Sequence, residues 1–191
     1  MKTGAFATLV AMLFLSTPGF TQPEGLREAP PGFTWKACEK LQEFWFLVPD
    51  GWFFKEEERE GTVAVFITKE PIEREGWYRT GFSVNAIQQS AAKTGVAPSS
   101  YAQLFMEKLA ATAEKTWGFR RLGYEPYLKG YGTFSKATAP FGPLIQYTIA
   151  LGNDTTGTFY LMIFESPEQS WEEEFKRGSE IIEQMGLDAA F

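Results

Sequence analysis

The stretch that decides the fold is residues 144–164, which read LIQYTIALGNDTTGTFYLMIF. Two apolar segments, 144–151 and 158–164, flank a run of turn-forming residues, and this arrangement predicts a β-hairpin. Residues 159–164 are apolar on both parities, which is typical of a strand that is covered on both faces. We therefore expect 159–164 to be the central strand of a sheet.

Further strand-forming segments lie upstream and share a high content of β-branched and aromatic residues. Pro49, Asp50 and Gly51 form a strong turn signal, so segments 44–48 and 52–56 are predicted to pair as a hairpin. Gly130 and Gly132 weaken a later strand and suggest either a bulge or close packing there. The other predicted strands are 62–68, 78–87 and 128–135.

Two segments show helical periodicity. The first follows Pro98, has a candidate capping box in Ser100 and Gln103, and is expected to end at Gly118. Its apolar positions are Leu104, Phe105, Leu109, Ala113 and Trp117. The second is expected to begin at Ser166-Pro167 and to stop at Gly186. Its stripe consists of Trp171, Phe175, Ile182 and Met185, with Ile181 beside it.

The order of these elements is strands, a helix, strands and a final helix. Short connections favour antiparallel neighbours, so the pattern predicts an α+β domain rather than a doubly wound α/β fold.

The N-terminus predicts export. Lys2 precedes an uncharged apolar run of about a dozen residues, and small residues follow it, which is the pattern of a secretory signal peptide over 1–21. The run is shorter than the roughly 20 residues that cross a bilayer, so we expect no integral membrane span after cleavage. Residues 22–32 are rich in proline and glycine and predict an extended arm, and 33–191 form the single domain. A periplasmic or secreted location is expected.

Composition excludes several kinds of chemistry. The 191-residue chain has 18 Lys and Arg against 24 Asp and Glu, a net charge of −6, which argues against nucleic-acid binding. It has no histidine, so Ser-His and Cys-His pairs and imidazole metal ligands are excluded. The acidic runs 56–60 and 172–174 lack the ligand spacing of a calcium loop. We therefore expect no enzyme activity, no cofactor and no metal.

The one cysteine, Cys38, cannot form an internal disulfide. We expect a buried or unpaired thiol, and the alternative is a disulfide-linked dimer.

Aromatic residues in loops are the candidate binding residues. Trp77 and Tyr78 lie at a loop-to-strand junction, and Phe141 lies in a proline-rich loop. Exposed aromatics in loops can anchor a partner. The alternative is that these side chains fold back over the core.

Two motifs resemble the PsbP-like superfamily, in particular its bacterial periplasmic DcrB-type branch. They are FLVPDGW at 46–52, and FESP at 164–167 leading into a terminal helix that carries Trp171. The resemblance implies an α/β/α sandwich, with a mainly antiparallel sheet covered by helices on both faces. It also implies a binding or assembly role rather than catalysis.

The function expected on these grounds is an exported, non-catalytic binding or assembly module that acts on an envelope protein partner. The alternative is a carrier of a lipid or other small apolar ligand, held in a pocket between the sheet and a helix.

Overall fold

The computed structural model of the protein describes residues 27–41, 44–72, 78–124 and 128–185. The predicted signal peptide, residues 22–26 of the predicted arm, Trp77 and Gly186 lie outside the described residues. The first element begins at Phe33, where the domain was expected to start. Among the described residues, no helix is both long enough and apolar enough to span a bilayer.

The domain contains two antiparallel sheets and three α-helices within the described ranges. The strands are β1 (Phe33–Ala37), β2 (Trp45–Pro49), β3 (Phe53–Arg59), β4 (Thr62–Thr68), β5 (Gly81–Ile87), β6 (Thr116–Tyr124), β7 (Leu128–Ala139), β8 (Gly142–Asn153) and β9 (Thr158–Pro167). The helices are α1 (Ser90–Thr94), α2 (Pro98–Thr112) and α3 (Trp171–Gln184), and a 3-10 turn (Glu168–Ser170) precedes α3.

The large sheet has seven strands in the order β3-β4-β5-β9-β8-β7-β6, and all neighbours in it are antiparallel. The predicted hairpin of 144–164 is confirmed, because β8 and β9 pair from Leu144↔Pro167 to Asn153↔Thr158. β9 lies in the middle of the sheet, as its apolar character on both parities indicated. The prediction of an α+β domain built on a mainly antiparallel sheet is therefore confirmed.

Buried side chains form two separate clusters, and alternate residues of β9 belong to different ones. Tyr160, Met162 and Phe164 join the larger cluster, whereas Phe159 and Leu161 join the smaller one. The larger cluster contains side chains of α3 and of β2, and the smaller one contains side chains of α2. This alternation follows from the two-residue period of a strand.

The predicted hairpin between 44–48 and 52–56 is wrong. β2 pairs with β1 in a two-stranded sheet, and β3 pairs with β4 at an edge of the large sheet. Asp50 and Gly51 do form a turn, but the turn leads the chain from one sheet into the other. Phe46 and Leu47 on β2 are both fully buried. β2 therefore packs its side chains into the core instead of pairing with β3.

The first long helix ends earlier than predicted. α2 ends at Thr112, and Trp117 belongs to the edge strand β6, where its ring stacks on that of Phe134 of β7 at 5.8 Å. Gly118 has a φ of 66° and lies in a register shift of β6, so it marks a bulge rather than a helix end. The four-residue spacing from Ala113 to Trp117 was a coincidence of sequence.

The helix starts also differ from the predicted ones. The N-cap of α2 is Ala97 and makes no side-chain cap hydrogen bond, so the capping box of Ser100 and Gln103 is not formed. Ser166 and Pro167 extend β9 through pairing with β8, which delays α3 until Trp171. The predicted stripe of α3 is confirmed, because its five members pack in the larger cluster.

The glycines of β7 reflect close packing. A Cβ at Gly130 would lie 1.9 Å from the carbonyl oxygen of Ala150 on β8. Pairing between β7 and β8 continues past Gly130 and Gly132 without a shift. The sequence left a bulge and close packing as alternatives for these glycines, and the structure shows close packing.

Candidate functional site

Tyr78 and Phe141 lie at the same corner of the large sheet, where β9 ends and β5 and β8 begin. Tyr78 precedes β5 by two residues, and Phe141 lies in the turn between β7 and β8. The guanidinium of Arg79 lies 5.5 Å from the centroid of the Phe141 ring, which links the two segments. Trp77, the third candidate, lies outside the described residues.

A carboxylate ties the backbone of this corner to the loop after β4. Glu70 accepts hydrogen bonds from the backbone N–H groups of Thr80 at 3.1 Å and Arg79 at 3.3 Å. The N–H of Lys69 donates to the carbonyl oxygen of Thr80 at 2.9 Å. These bonds fix the segment that carries Tyr78 at the start of β5.

The phenol of Tyr78 packs over the sheet and enters a polar cluster. Its ring meets that of Phe66 edge-on at 6.5 Å, and its hydroxyl hydrogen-bonds with Glu165 and Ser83. Nε2 of Gln146 donates to Oε2 of Glu165 at 2.7 Å. Glu165 pairs with Gly81 on one side and with Gln146 on the other. The register of three strands therefore assembles this cluster.

Burial dominates the electrostatics of the cluster. It raises the pKa of the Glu165 carboxyl, against the opposing effect of the hydrogen bonds from Gln146 and Tyr78. Burial also raises the pKa of the Tyr78 phenol, and the neighbouring charge of Glu165 adds to the shift. The phenol stays protonated and donates to the carboxyl, so the pair holds the Tyr78 ring in place.

Tyr78 and Phe141 are both half-buried, so each combines a packed face with a remaining exposed part. Such side chains have little rotamer freedom left to lose when a partner covers the rest, which lowers the cost of binding. As a binding surface, this corner offers a fixed tyrosine ring and a phenylalanine ring under an arginine.

Other aromatic and aliphatic side chains are more exposed than the predicted ones, and sequence reasoning missed them. They are Phe53 at 46%, Leu104 at 52%, Trp117 at 36% and Phe119 at 55% exposure. Trp117 was assigned to a helix stripe, which hid the alternation of Thr116, Trp117, Gly118 and Phe119. That alternation was the signal for strand β6.

Two clefts open on the surface formed by described residues. A cleft of about 550 Å³ lies between the β1–β2 sheet and β3, and its apolar lining is Trp35, Trp45 and Phe54. A second, of about 410 Å³, is lined by one flank of α2, including Leu104, Phe105 and Leu109. The first cleft does not lie between the large sheet and a helix.

Cys38 is buried beside the first cleft and is a free thiol. Its Sγ donates to Oε2 of Glu56 at 3.3 Å, and the same carboxylate accepts from the N–H groups of Glu39 and Lys40 at 3.1 Å. Burial raises the pKa of this thiol to about 11, with a further contribution from the charge of Glu56. Within the described ranges, no group of three or more Cys, Asp or Glu is placed to hold a metal ion.

No protein-family model and no curated protein sequence matches this chain. Among solved structures, the chain is similar to the solution structure of the cyanobacterial PsbP protein CyanoP from Synechocystis sp. PCC 6803. The two are 12% identical with a TM-score of 0.45, and the match covers 87% of this chain and 98% of that chain. The PsbP-like resemblance and its DcrB-type branch stay predictions.

Proposed function

We propose that this chain is an exported, non-catalytic binding or assembly module that acts on an envelope protein partner. It works outside the cytoplasm, after removal of the signal peptide 1–21. The corner formed by Tyr78 and Phe141, together with Trp77, is the contact surface. The finer architecture, an α/β/α sandwich with α2 and α3 on opposite faces, is part of this proposal, and the alternation along β9 supports it.

The observation that carries the proposal is the filling of the space beside both long helices. Met106 and Ala102 of α2 are fully buried against Ala150 and Phe159 of the sheet. Ile181 of α3 is fully buried in the larger cluster with Met162 and Phe164. Side chains therefore occupy the position in which a carrier would hold its ligand, whereas aromatic rings remain at the surface.

The state of the thiol supports the non-catalytic part of the proposal. Because the pKa of Cys38 is raised to about 11, only a small fraction of the thiol is ionised at neutral pH. A protonated thiol is a poor nucleophile, and the chain has no histidine to activate it. Cys38 is therefore best explained as a core residue.

Site-specific photo-crosslinking in the cells that make the protein tests the proposal. A photoreactive phenylalanine analogue replaces Phe141, and the matched control carries the same analogue at the exposed Lys176 of α3. We expect a light-dependent adduct with one protein from position 141 and none from position 176. Equal adducts from both positions, or a lipid-sized adduct at 141, would contradict a protein-binding role for this corner.

A further inference from the structure

The large sheet ends in two unlike edge strands. β3 and β6 are the two outermost strands, and within the described part of the chain neither pairs with another strand on its outer side. The outer backbone N–H and C=O groups of an edge strand can pair with a strand of another molecule. Which strand pairs there depends on the side chains that the edge presents.

The β6 edge is basic and aromatic. From 115 to 124 the chain carries three positive side chains, Lys115, Arg120 and Arg121, and no negative one, although its net charge is −6. Phe119 is 55% exposed, and Arg120 and Arg121 are exposed beside it. The guanidinium of Arg120 donates to the hydroxyl of Tyr147 on β8 at 2.7 Å, so it lies over the face of the sheet, and Lys115 and Arg121 supply the other positive charges of this segment.

The β3 edge has the opposite character. From 53 to 60 the chain carries four glutamates against one lysine and one arginine. Glu57 and Glu58 are exposed, and Phe53 is 46% exposed at the start of the strand. Glu57 pairs with Lys55 at 2.5 Å and Glu58 with Lys40 at 3.8 Å. Ion pairs this exposed contribute little and can be exchanged for others.

We propose that β3 of one copy of this chain pairs with β6 of a second copy, which extends the sheet from molecule to molecule. Charge selects this pairing, since two β6 edges or two β3 edges would bring like charges together. The bulge between Trp117 and Arg120 interrupts the first part of β6 and leaves the regular part at 120–124. That part begins with the two arginines, so the segment available for pairing is the basic one.

The pairing joins two different surfaces and is therefore open-ended. Each added copy buries one β6 edge and one β3 edge and leaves one of each at the ends of the assembly. The size of the assembly grows with protein concentration, and salt that screens the charges reduces it. This inference concerns the chain alone and is independent of the envelope partner proposed above.

Sedimentation velocity on the exported, purified protein tests the inference, with charge-reversed edges as variants. One variant carries Glu57→Lys and Glu58→Lys, the other carries Lys115→Glu and Arg121→Glu, and Lys176→Glu on α3 is the control. In about 0.01 M salt, where charges interact over about 30 Å, we expect the wild type and the control to associate in a concentration-dependent manner. Each edge variant alone is expected to stay monomeric, because both its edges then carry the same sign.

An equimolar mixture of the two edge variants is the decisive sample. Each offers the edge that the other lacks, so mixing them is expected to restore association, which a misfolded variant could not do. In about 1 M salt, where the screening length falls to about 3 Å, all samples are expected to become monomeric. A wild-type chain that stays monomeric in low salt, edge variants that associate like the wild type, or a mixture that stays monomeric would each overturn the inference.

Discussion

At the scale of single residues, Glu165 connects the fold with the candidate site. Its backbone lies on the central strand between β5 and β8, and its carboxyl receives hydrogen bonds from Gln146 and Tyr78. Burial outweighs these bonds and raises the carboxyl pKa, so the ionised form is less stable in the folded chain than in the unfolded one. The position of Tyr78 thus depends on a group whose ionisation weakens the fold.

The free energy of unfolding therefore depends on pH. Just above the unfolded-state pKa of about 4.3, the folded chain binds the Glu165 proton more tightly than the unfolded chain does. The free energy of unfolding therefore falls as pH rises through this range, and the loss is complete above the folded-state pKa. Glu165→Gln removes this dependence, so its stability relative to the wild type is expected to rise with pH.

Urea unfolding of both proteins at several pH values between 4 and 7 measures this difference. Glu172→Gln at an exposed position of α3 is the matched control for the loss of one carboxylate. A difference between Glu165→Gln and the wild type that stays constant over the range would contradict a raised pKa.

Cys38 gives a second prediction at the same scale. A rise of its pKa from 9.0 to about 11 lowers the thiolate fraction at neutral pH about a hundredfold. Because a thiolate of higher pKa is also more nucleophilic, a small disulfide reagent should modify the native chain at least about tenfold more slowly than the chain unfolded in urea, and burial should slow it further. Comparable rates, or spontaneous formation of a disulfide-linked dimer at neutral pH, would show that the thiol is accessible and reactive.

At the scale of elements, tertiary packing determined the secondary structure of segments whose hydrophobic periodicity was ambiguous. A short run that is apolar on both parities identified β9, and a stripe at helical spacing identified α3. β6 was missed because Trp117 fits a helical spacing, whereas its backbone pairs with Phe134 of β7. The pairing of β2 with β1 could not be predicted either, because a turn signal marks a change of direction and not the next partner.

The sequence predicted only part of the candidate site. Loop position and residue type suggested Tyr78 and Phe141, but not the surroundings of either. The contact of Tyr78 with Glu165 depends on the register of β5, β9 and β8, and that of Phe141 with Arg79 on the turn between β7 and β8. Register is a property of paired strands, and no single segment specifies it.

Gly178 allows a test of how closely α3 approaches the sheet. A Cβ at this position would lie 2.6 Å from Cδ2 and Cε2 of Phe164 on β9. Replacing a helical glycine by alanine in open space stabilises by roughly 0.5–1 kcal/mol, but overpacking a core costs roughly 1–3 kcal/mol. Gly178→Ala is therefore expected to lower the free energy of unfolding by about 1 kcal/mol or more.

The control for this prediction is Lys176→Ala, two residues earlier on the exposed side of the same helix. It should change the stability by no more than about 0.5 kcal/mol. Urea unfolding measures both variants. A Gly178→Ala chain that is more stable than the wild type would mean that the helix lies farther from β9.

At the scale of the whole molecule, a seven-stranded antiparallel sheet separates two filled clusters of buried side chains and ends in edges of opposite charge. Side chains of both long helices are buried against the sheet, and the exposed aromatic side chains lie at the margins of the sheet. This arrangement is the basis for proposing a protein partner over a carried ligand.

Native mass spectrometry of the protein, purified gently from the cells that make it, distinguishes a protein-binding module from a ligand carrier. We expect the mass of the bare polypeptide, alone, in multiples or with a bound protein, and no small apolar molecule retained. A chain that repeatedly carries the added mass of a lipid or another small apolar compound would contradict the proposed protein-binding role and would support ligand carriage.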